Sequence, residues 1–157
     1  MSELLTTAAS VSTNPDAWVS TVRTSWQTSG HRLTEPRTRV LRRIATYDAP
    51  FSAEQLYADL QGDEPPPGRA TVYRVLEQLH EAGWLARMHP AGADVGYVAT
   101  WPGHLHHLIC TSCGKVVAFE GCGMSPLLEQ LSRQTDFAID GHLVQIYGRC
   151  AHCQVET

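Results

Sequence analysis

The chain lacks any uninterrupted apolar run near the roughly 18 residues that a membrane span requires. Its opening stretch also lacks a basic start followed by an apolar block, so no secretory leader is legible. These absences predict a cytoplasmic protein with no membrane partner. Positive charge is scarce: the formal net charge is −4, which argues against a polybasic protein. The basic residues are unevenly placed, however, and nine of the twelve lie at or before Arg87. Disorder is excluded by 43% hydrophobic against 18% charged residues. A length of 157 residues suits one medium domain or two small ones. A small unit would draw stability from a metal or a partner. There is no internal repeat.

Cysteine is absent before position 110 and then occurs as Cys110, Cys113, Cys122, Cys150 and Cys153. Four of these make two Cys-x-x-Cys pairs separated by 36 residues. In a reducing compartment such pairs point to a metal rather than to disulfides. Each knuckle aims two sulfurs at one ion, and two knuckles complete the tetrahedral shell of zinc. One structural zinc per chain, held by Cys110, Cys113, Cys150 and Cys153, is therefore expected. Disulfides or free thiols are the open alternative, and His152 is a possible substitute for one sulfur. A redox role favours one Cys-x-x-Cys at a helix start, which two distant pairs fit poorly. A zinc deaminase needs His-x-Glu and Pro-Cys-x-x-Cys, but Ile109 precedes Cys110 and His104 is followed by Leu105 and His106. No enzymatic activity is expected.

Residues 1–15, rich in Ser, Thr and Ala, read as a mobile tail. Trp18, Val19, Val22 and Trp26 stand at helical spacing within 16–27. Thr34 is placed to cap a second helix with Pro36 in its first turn. Ser52 and Gln55 form a capping-box pattern opening a third. Val72, Val75, Leu76 and Leu79 mark the buried face of a fourth, over 69–82. Extended pieces at 84–89 and 95–99, joined across 90–93, make a hairpin. Three helices and a two-stranded wing describe a winged helix-turn-helix over residues 16–100. Trp101, Pro102 and Gly103 punctuate the chain as a hinge. Residues 104–157 follow as an α/β unit, with strands at 105–109, 116–119 and 137–147 and a helix at 125–134. The fold class is thus α+β.

In a helix-turn-helix the second helix of the motif meets base edges in the major groove. The helix from Arg69 fits that role. Arg32, Arg37, Arg39, Arg42 and Arg43 are candidates to neutralise phosphates, the ordinary source of affinity; a solvated helix face is the alternative. Here the residues carry a resemblance. Leu33-Thr34-Glu35-Pro36-Arg37, the run from Ser52 to Tyr57, the run from Ala70 to Arg74, and the run from His106 to Lys115 resemble the ferric uptake regulator (Fur) family in the same order. The resemblance implies a winged-helix domain, a metal-bearing dimerisation domain, a homodimer, and metal-dependent repression of metal-homeostasis genes. It places Tyr73 and Arg74 against DNA; Arg69 and Thr71 of the same helix, with Arg37 and Arg32, are the further DNA-binding candidates. The implied partner is a double-stranded, palindromic, AT-rich operator.

A sensor also needs a second divalent metal whose occupancy changes the protein's shape. Candidate ligands are His89, His104, His106, His107, Cys122 and His142. His104 and His106 alternate and share one face of a strand. The resemblance supports His104, His106 and His142 as ligands. The family's usual acidic ligand falls near Ser125, and Cys122, one helical turn earlier, can take its place. In this the chain is similar to the zinc uptake regulator (Zur) branch. Nitrogen ligands with one thiolate favour zinc over iron or manganese. The family's hinge ligands correspond here to Val98 or Thr100, and to Leu105 with His107. Only His107 survives, and His89 is the candidate replacement. The expected function is a zinc-sensing repressor. An iron, manganese or peroxide sensor is the alternative within the family, and a zinc store or chaperone the alternative outside it. A zinc hydrolase needs a general base beside the imidazoles, and no Glu is there.

Overall fold

The structure, a computed structural model, describes residues 14–89 and 96–155. The expected tail lies almost wholly outside these, as does the turn joining the two wing strands.

Helix α1 (Pro15–Thr28) begins where the Asn14 side chain accepts from the amides of Asp16 and Ala17 at 3.1 and 3.2 Å. Those bonds satisfy two amides that the first helical turn leaves open. Helix α2 (Glu35–Ile44) has Thr34 at its N-cap position, but the threonine side chain makes no capping bond. Helix α3 (Ala53–Asp59) is capped as its sequence predicts, with Ser52 Oγ accepting from the Gln55 amide at 3.0 Å. A short 3-10 turn, Leu60–Gly62, leads toward helix α4 (Arg69–Glu81). Trp18, Val22, Trp26, Leu41, Leu56 and Leu79 are among the side chains that fuse the four helices into one apolar core. Trp18 sits edge-on to Trp84 with centroids 6.5 Å apart. Its indole donates to the Thr100 carbonyl at 2.9 Å, so this large ring is buried without an orphaned donor.

Strands β1 (Leu85–Met88) and β2 (Gly96–Ala99) pair antiparallel as the wing. The wing is pinned to the helices by a second pairing, in which Phe51 and Tyr97 exchange both backbone hydrogen bonds at 3.0 and 2.8 Å. Gly96 permits this approach, since a Cβ there would lie 2.9 Å from Pro50 Cβ.

The remainder is a three-stranded sheet ordered β4-β3-β5, from β3 (His106–Cys110), β4 (Val116–Phe119) and β5 (Gln145–Gly148), with helix α5 (Ser125–Thr135) and a final short helix α6 (Ala151–Val155). β3 pairs antiparallel with β4 and parallel with β5. The long strand expected over 137–147 is corrected: only Gln145–Gly148 is a strand. A strand exists where a neighbour can bond it, and β3 runs alongside these four residues alone. Helix α6, which the sequence pattern does not announce, carries Cys153. No helix among the described residues is long and apolar enough to cross a membrane.

Candidate metal centres and nucleic-acid interface

The small sheet gathers a set of metal-competent side chains at each of its two ends. At one end β3 finishes at Cys110 alongside Gly148 of β5. The Thr111 amide donates to the Gly148 carbonyl at 2.8 Å, holding the two chain exits together. The knuckle then turns at Gly114, whose φ of +75° is the left-handed region that glycine tolerates. The Gly114 amide closes the turn onto the Cys110 carbonyl at 3.0 Å. Parallel pairing thus brings two knuckles, distant in sequence, to one point. The sulfurs of Cys110, Cys113, Cys150 and Cys153 all lie within 4.8 Å of one another.

None of the five cysteines is in a disulfide. Cys113 Sγ lies 3.7 Å from Cys150 Sγ. A tetrahedral ion with bonds of about 2.3 Å would separate its sulfurs by about 3.8 Å. The Cys150 amide donates to Cys110 Sγ at 3.3 Å. That bond, with a second from the Cys113 amide, pulls the Cys110 thiol down to about 5. Cys153 moves the opposite way, to about 12, because the Cys150 sulfur and burial both disfavour its thiolate. Four thiolates at this spacing need a cation among them, so the donor set fits a closed tetrahedral metal.

At the other end lie the start of β3, the exit of β4 and the approach to β5. His106 pairs with Phe119 across the ladder, which brings the loop after β4 toward the histidines. Ligand atoms of His104, His106, Cys122 and His142 all lie within 4.8 Å of one another. Cys122 Sγ is 3.0 Å from His142 Nε2. The His104 ring lies 4.7 Å, centroid to centroid, from both His106 and His142. His106 is buried with neither ring nitrogen hydrogen-bonded. Burial, followed by the neighbouring His104 and His142, pushes its pKa below the ordinary histidine value. A buried neutral imidazole with an unused lone pair is suited to a metal.

His107 and His89 are not brought into this group. Strand alternation puts His107 on the opposite face from His106, where it is buried with both ring nitrogens unpaired. Burial also lowers its pKa. His89 is exposed beyond the end of β1. The hinge positions carry no ligand set among the described residues: Val98 packs with Met88 and Ile109 in an apolar cluster.

Helix α4 buries Val72, Val75, Leu76 and Leu79, and so turns Arg69, Tyr73 and Arg74 outward, with Thr71 half-buried. The Arg69 guanidinium lies 4.4 Å from the centroid of Tyr57 and 5.9 Å from that of Tyr73. Tyr73 Oη donates to Glu54 Oε1 at 2.6 Å, which holds the Glu54 carboxyl below its usual range. Sequence pattern does not show that Glu54 and Tyr57 meet Tyr73 and Arg69, since they sit on a different helix and periodicity relates only residues of one helix. Arg37 donates to the Arg32 carbonyl at 2.8 Å and covers Trp26, while Arg32 itself is exposed. The basic stripe on α2 is less available than its spacing suggests. Arg43 pairs with Asp59 at 3.0 Å, and Arg39 and Arg42 face Glu35 at 3.4 and 3.8 Å.

The sequence profile of the "Ferric uptake regulator family" matches residues 28–147. The ferric uptake regulation protein of Neisseria meningitidis serogroup B is 32% identical over 129 residues, covering 82% of this chain and 90% of that one. Among solved structures, a zinc uptake regulator complexed with zinc and DNA superimposes with a TM-score of 0.74 at 27% identity, covering 90% of this chain and 96% of that one. The ferric uptake regulator of Francisella tularensis with iron superimposes with a TM-score of 0.58 at 28% identity, covering 80% and 96% respectively.

Proposed function

The chain belongs to the ferric uptake regulator family of metal-responsive DNA-binding regulators, and from that premise we propose that it is a homodimeric, zinc-sensing repressor. The observation that carries zinc is the donor set at the His106 end of the sheet, which among the described residues is three imidazoles, one thiol and no carboxylate. Iron and manganese sites draw more on oxygen, whereas imidazole with thiolate suits zinc. The higher TM-score to the zinc uptake regulator than to the iron-bound one supports the same reading. The name of the Neisseria relative speaks for iron. The chemistry of this chain's own ligands outweighs a name shared at one-third identity.

In this proposal Cys110, Cys113, Cys150 and Cys153 hold a permanent structural zinc, and His104, His106, Cys122 and His142 hold the regulatory one. Regulatory zinc supplies charge and a cross-link between three chain segments. His107 and His89 have no part in the shell. Residues 101–103 are the hinge between a DNA-reading unit and a dimerising unit. The dimer face is drawn from the exposed apolar side chains of the second unit, where Phe137 is 71% and Leu143 65% accessible. Such a patch on a small protein marks a partner surface. Two-fold pairing sets two α4 helices one turn of DNA, or a multiple, apart, so the operator is a palindrome, AT-rich by analogy with the family. Arg69, Thr71, Tyr73 and Arg74 read the groove, while Arg32 and Arg37 meet phosphates. A zinc store or chaperone has no use for such a helix face.

Operator binding titrated by fluorescence anisotropy with zinc, iron(II) and manganese(II) tests the reading. Zinc is expected to tighten binding most, by about tenfold or more. Cys122→Ala combined with His142→Ala is expected to abolish that response while leaving one zinc per chain. A response that survives in this variant, or a stronger one to iron, overturns the assignment.

A further inference from the structure

The hinge of this chain is joined by hydrogen bonds where no ligand set stands. β1 pairs with β2 along one edge and leaves the other edge open. Onto that open edge comes the carboxamide of Gln145, from the first position of β5. Gln145 Nε2 donates to the Arg87 carbonyl at 2.6 Å. Gln145 Oε1 accepts from the His89 amide at 3.2 Å. These two backbone groups are two residues apart, the spacing at which one residue of an adjoining parallel strand bonds its neighbour. The carboxamide therefore stands in for one residue of an added strand. Tyr147, two residues along β5, donates from Oη to the His89 carbonyl at 2.6 Å and lies 2.9 Å from Gln145 Oε1. Met88 and Val98 of the wing pack on Ile109 of β3 beside these bonds.

We propose that Gln145, buttressed by Tyr147, is a positioning residue that couples the His104–His106–Cys122–His142 site to the recognition helix. The inference rests on the zinc-sensing reading above. His142 stands three residues before Gln145. The segment between them is tied to β3 by the His107 amide on the Val144 carbonyl at 3.3 Å. Fixing the His142 ring therefore fixes where the Gln145 carboxamide is presented. On the other side, β1 follows α4 directly, and the Trp84 amide closes the turn onto the Leu79 carbonyl at 2.8 Å. The wing is held to the helices by the Phe51–Tyr97 exchange, so wing and α4 move as one piece. Both ends of the path are stiff, and the carboxamide is the joint. A glutamine suits it because one planar group offers both the donor and the acceptor that a strand edge demands.

The test compares the full-length dimer with Gln145→Ala, Tyr147→Phe and, as a control, His142→Ala. Four quantities are read: zinc per chain, dimer mass, operator affinity with and without zinc, and exchange of the His89 amide by NMR. Gln145→Ala is expected to load both zinc ions and remain dimeric. It is expected to lose most of the roughly tenfold zinc-dependent gain in operator affinity. Its His89 amide is expected to exchange quickly with or without zinc, whereas the wild-type amide gains protection when zinc binds. Tyr147→Phe is expected to lose part of the gain. Gln145→Glu keeps the size and the acceptor for His89 but removes the donor to Arg87; the same loss in it meets any concern that the alanine variant misfolds. A full zinc response in both Gln145 variants overturns the coupling role while zinc sensing stands. Absence of a zinc response in the wild type overturns zinc sensing and this inference together.

Discussion

The two halves of the molecule are held together by different forces. Before residue 101 the helices and wing enclose a continuous apolar core in which Trp18, Val22, Leu41 and Leu79 have no accessible surface. Among the described residues beyond 103 the buried side chains are His106, His107, Ile109 and Cys110, and neither α5 nor α6 buries any residue. A small sheet with an exposed helix cannot balance the entropy of ordering its chain by apolar burial alone. What it has instead is a group of metal-competent side chains at each end and exposed apolar side chains such as Phe137 and Leu143. In the proposed function the first half is the reader, and the second, which depends on what binds it, is the sensor.

The comparison is tested most severely by Cys113→Ser. Structural zinc in small domains contributes about 10–16 kcal/mol of binding free energy. The variant is expected to lose the tightly held zinc and the dimer, seen by metal analysis and ultracentrifugation. All four tryptophans lie at or before Trp101. Native-like tryptophan fluorescence should therefore persist in the same sample. Collapse of that signal along with the metal would show the halves to be one cooperative unit.

A smaller effect, in the opposite half, is expected from Trp18→Ala. Removing this ring from the core and leaving the Thr100 carbonyl without its donor is expected to cost about 3–5 kcal/mol in denaturant unfolding. Zinc content should be unchanged at low temperature. Loss of zinc in the folded variant would break the division of labour.

The smallest effect is acid sensitivity confined to the second half. Burial holds both His106 and His107 below their ordinary values, and both belong to β3. The unfolded chain therefore takes up protons first as pH falls through about 6.5. Stability contributed by the neutral rings is complete above that pH. It declines as pH falls toward the lowered folded values. Ring titration by NMR of protein that keeps the four-thiol zinc but has no metal at the His106 end should place His107 below the unfolded value, with the tryptophan signals unmoved over the same window. A His107 that titrates at or above 6.5 would remove it from this account.

The helical half is largely legible in the sequence. Its elements are set by local rules: Val72, Val75, Leu76 and Leu79 repeat at helical spacing, and Ser52 with Gln55 marks a helix start. The four-thiol group is legible too, because paired cysteines at knuckle spacing have few other uses in a reducing compartment. The segment after Phe137 is not. Its residues suit a strand, but strand length is set by how far a neighbour extends, and sequence does not show the neighbour. Arg43 reads as part of a phosphate face because spacing cannot show that Asp59, on another helix, faces it; the Glu35–Arg39 pair, four residues apart on α2, is legible in the spacing.

Residue identity alone thus determined which atoms can ligate, which faces are apolar and where helices begin, since these follow from side-chain chemistry and from bonds between near neighbours in the chain. Only the three-dimensional arrangement decided that His107 and His89 stand apart from the group of Cys122 and three histidines, and that Gln145 closes the open edge of the wing. Those relations depend on β3 lying between β4 and β5, and strand pairing across long stretches of chain is decided by the packing of the whole rather than by any local pattern.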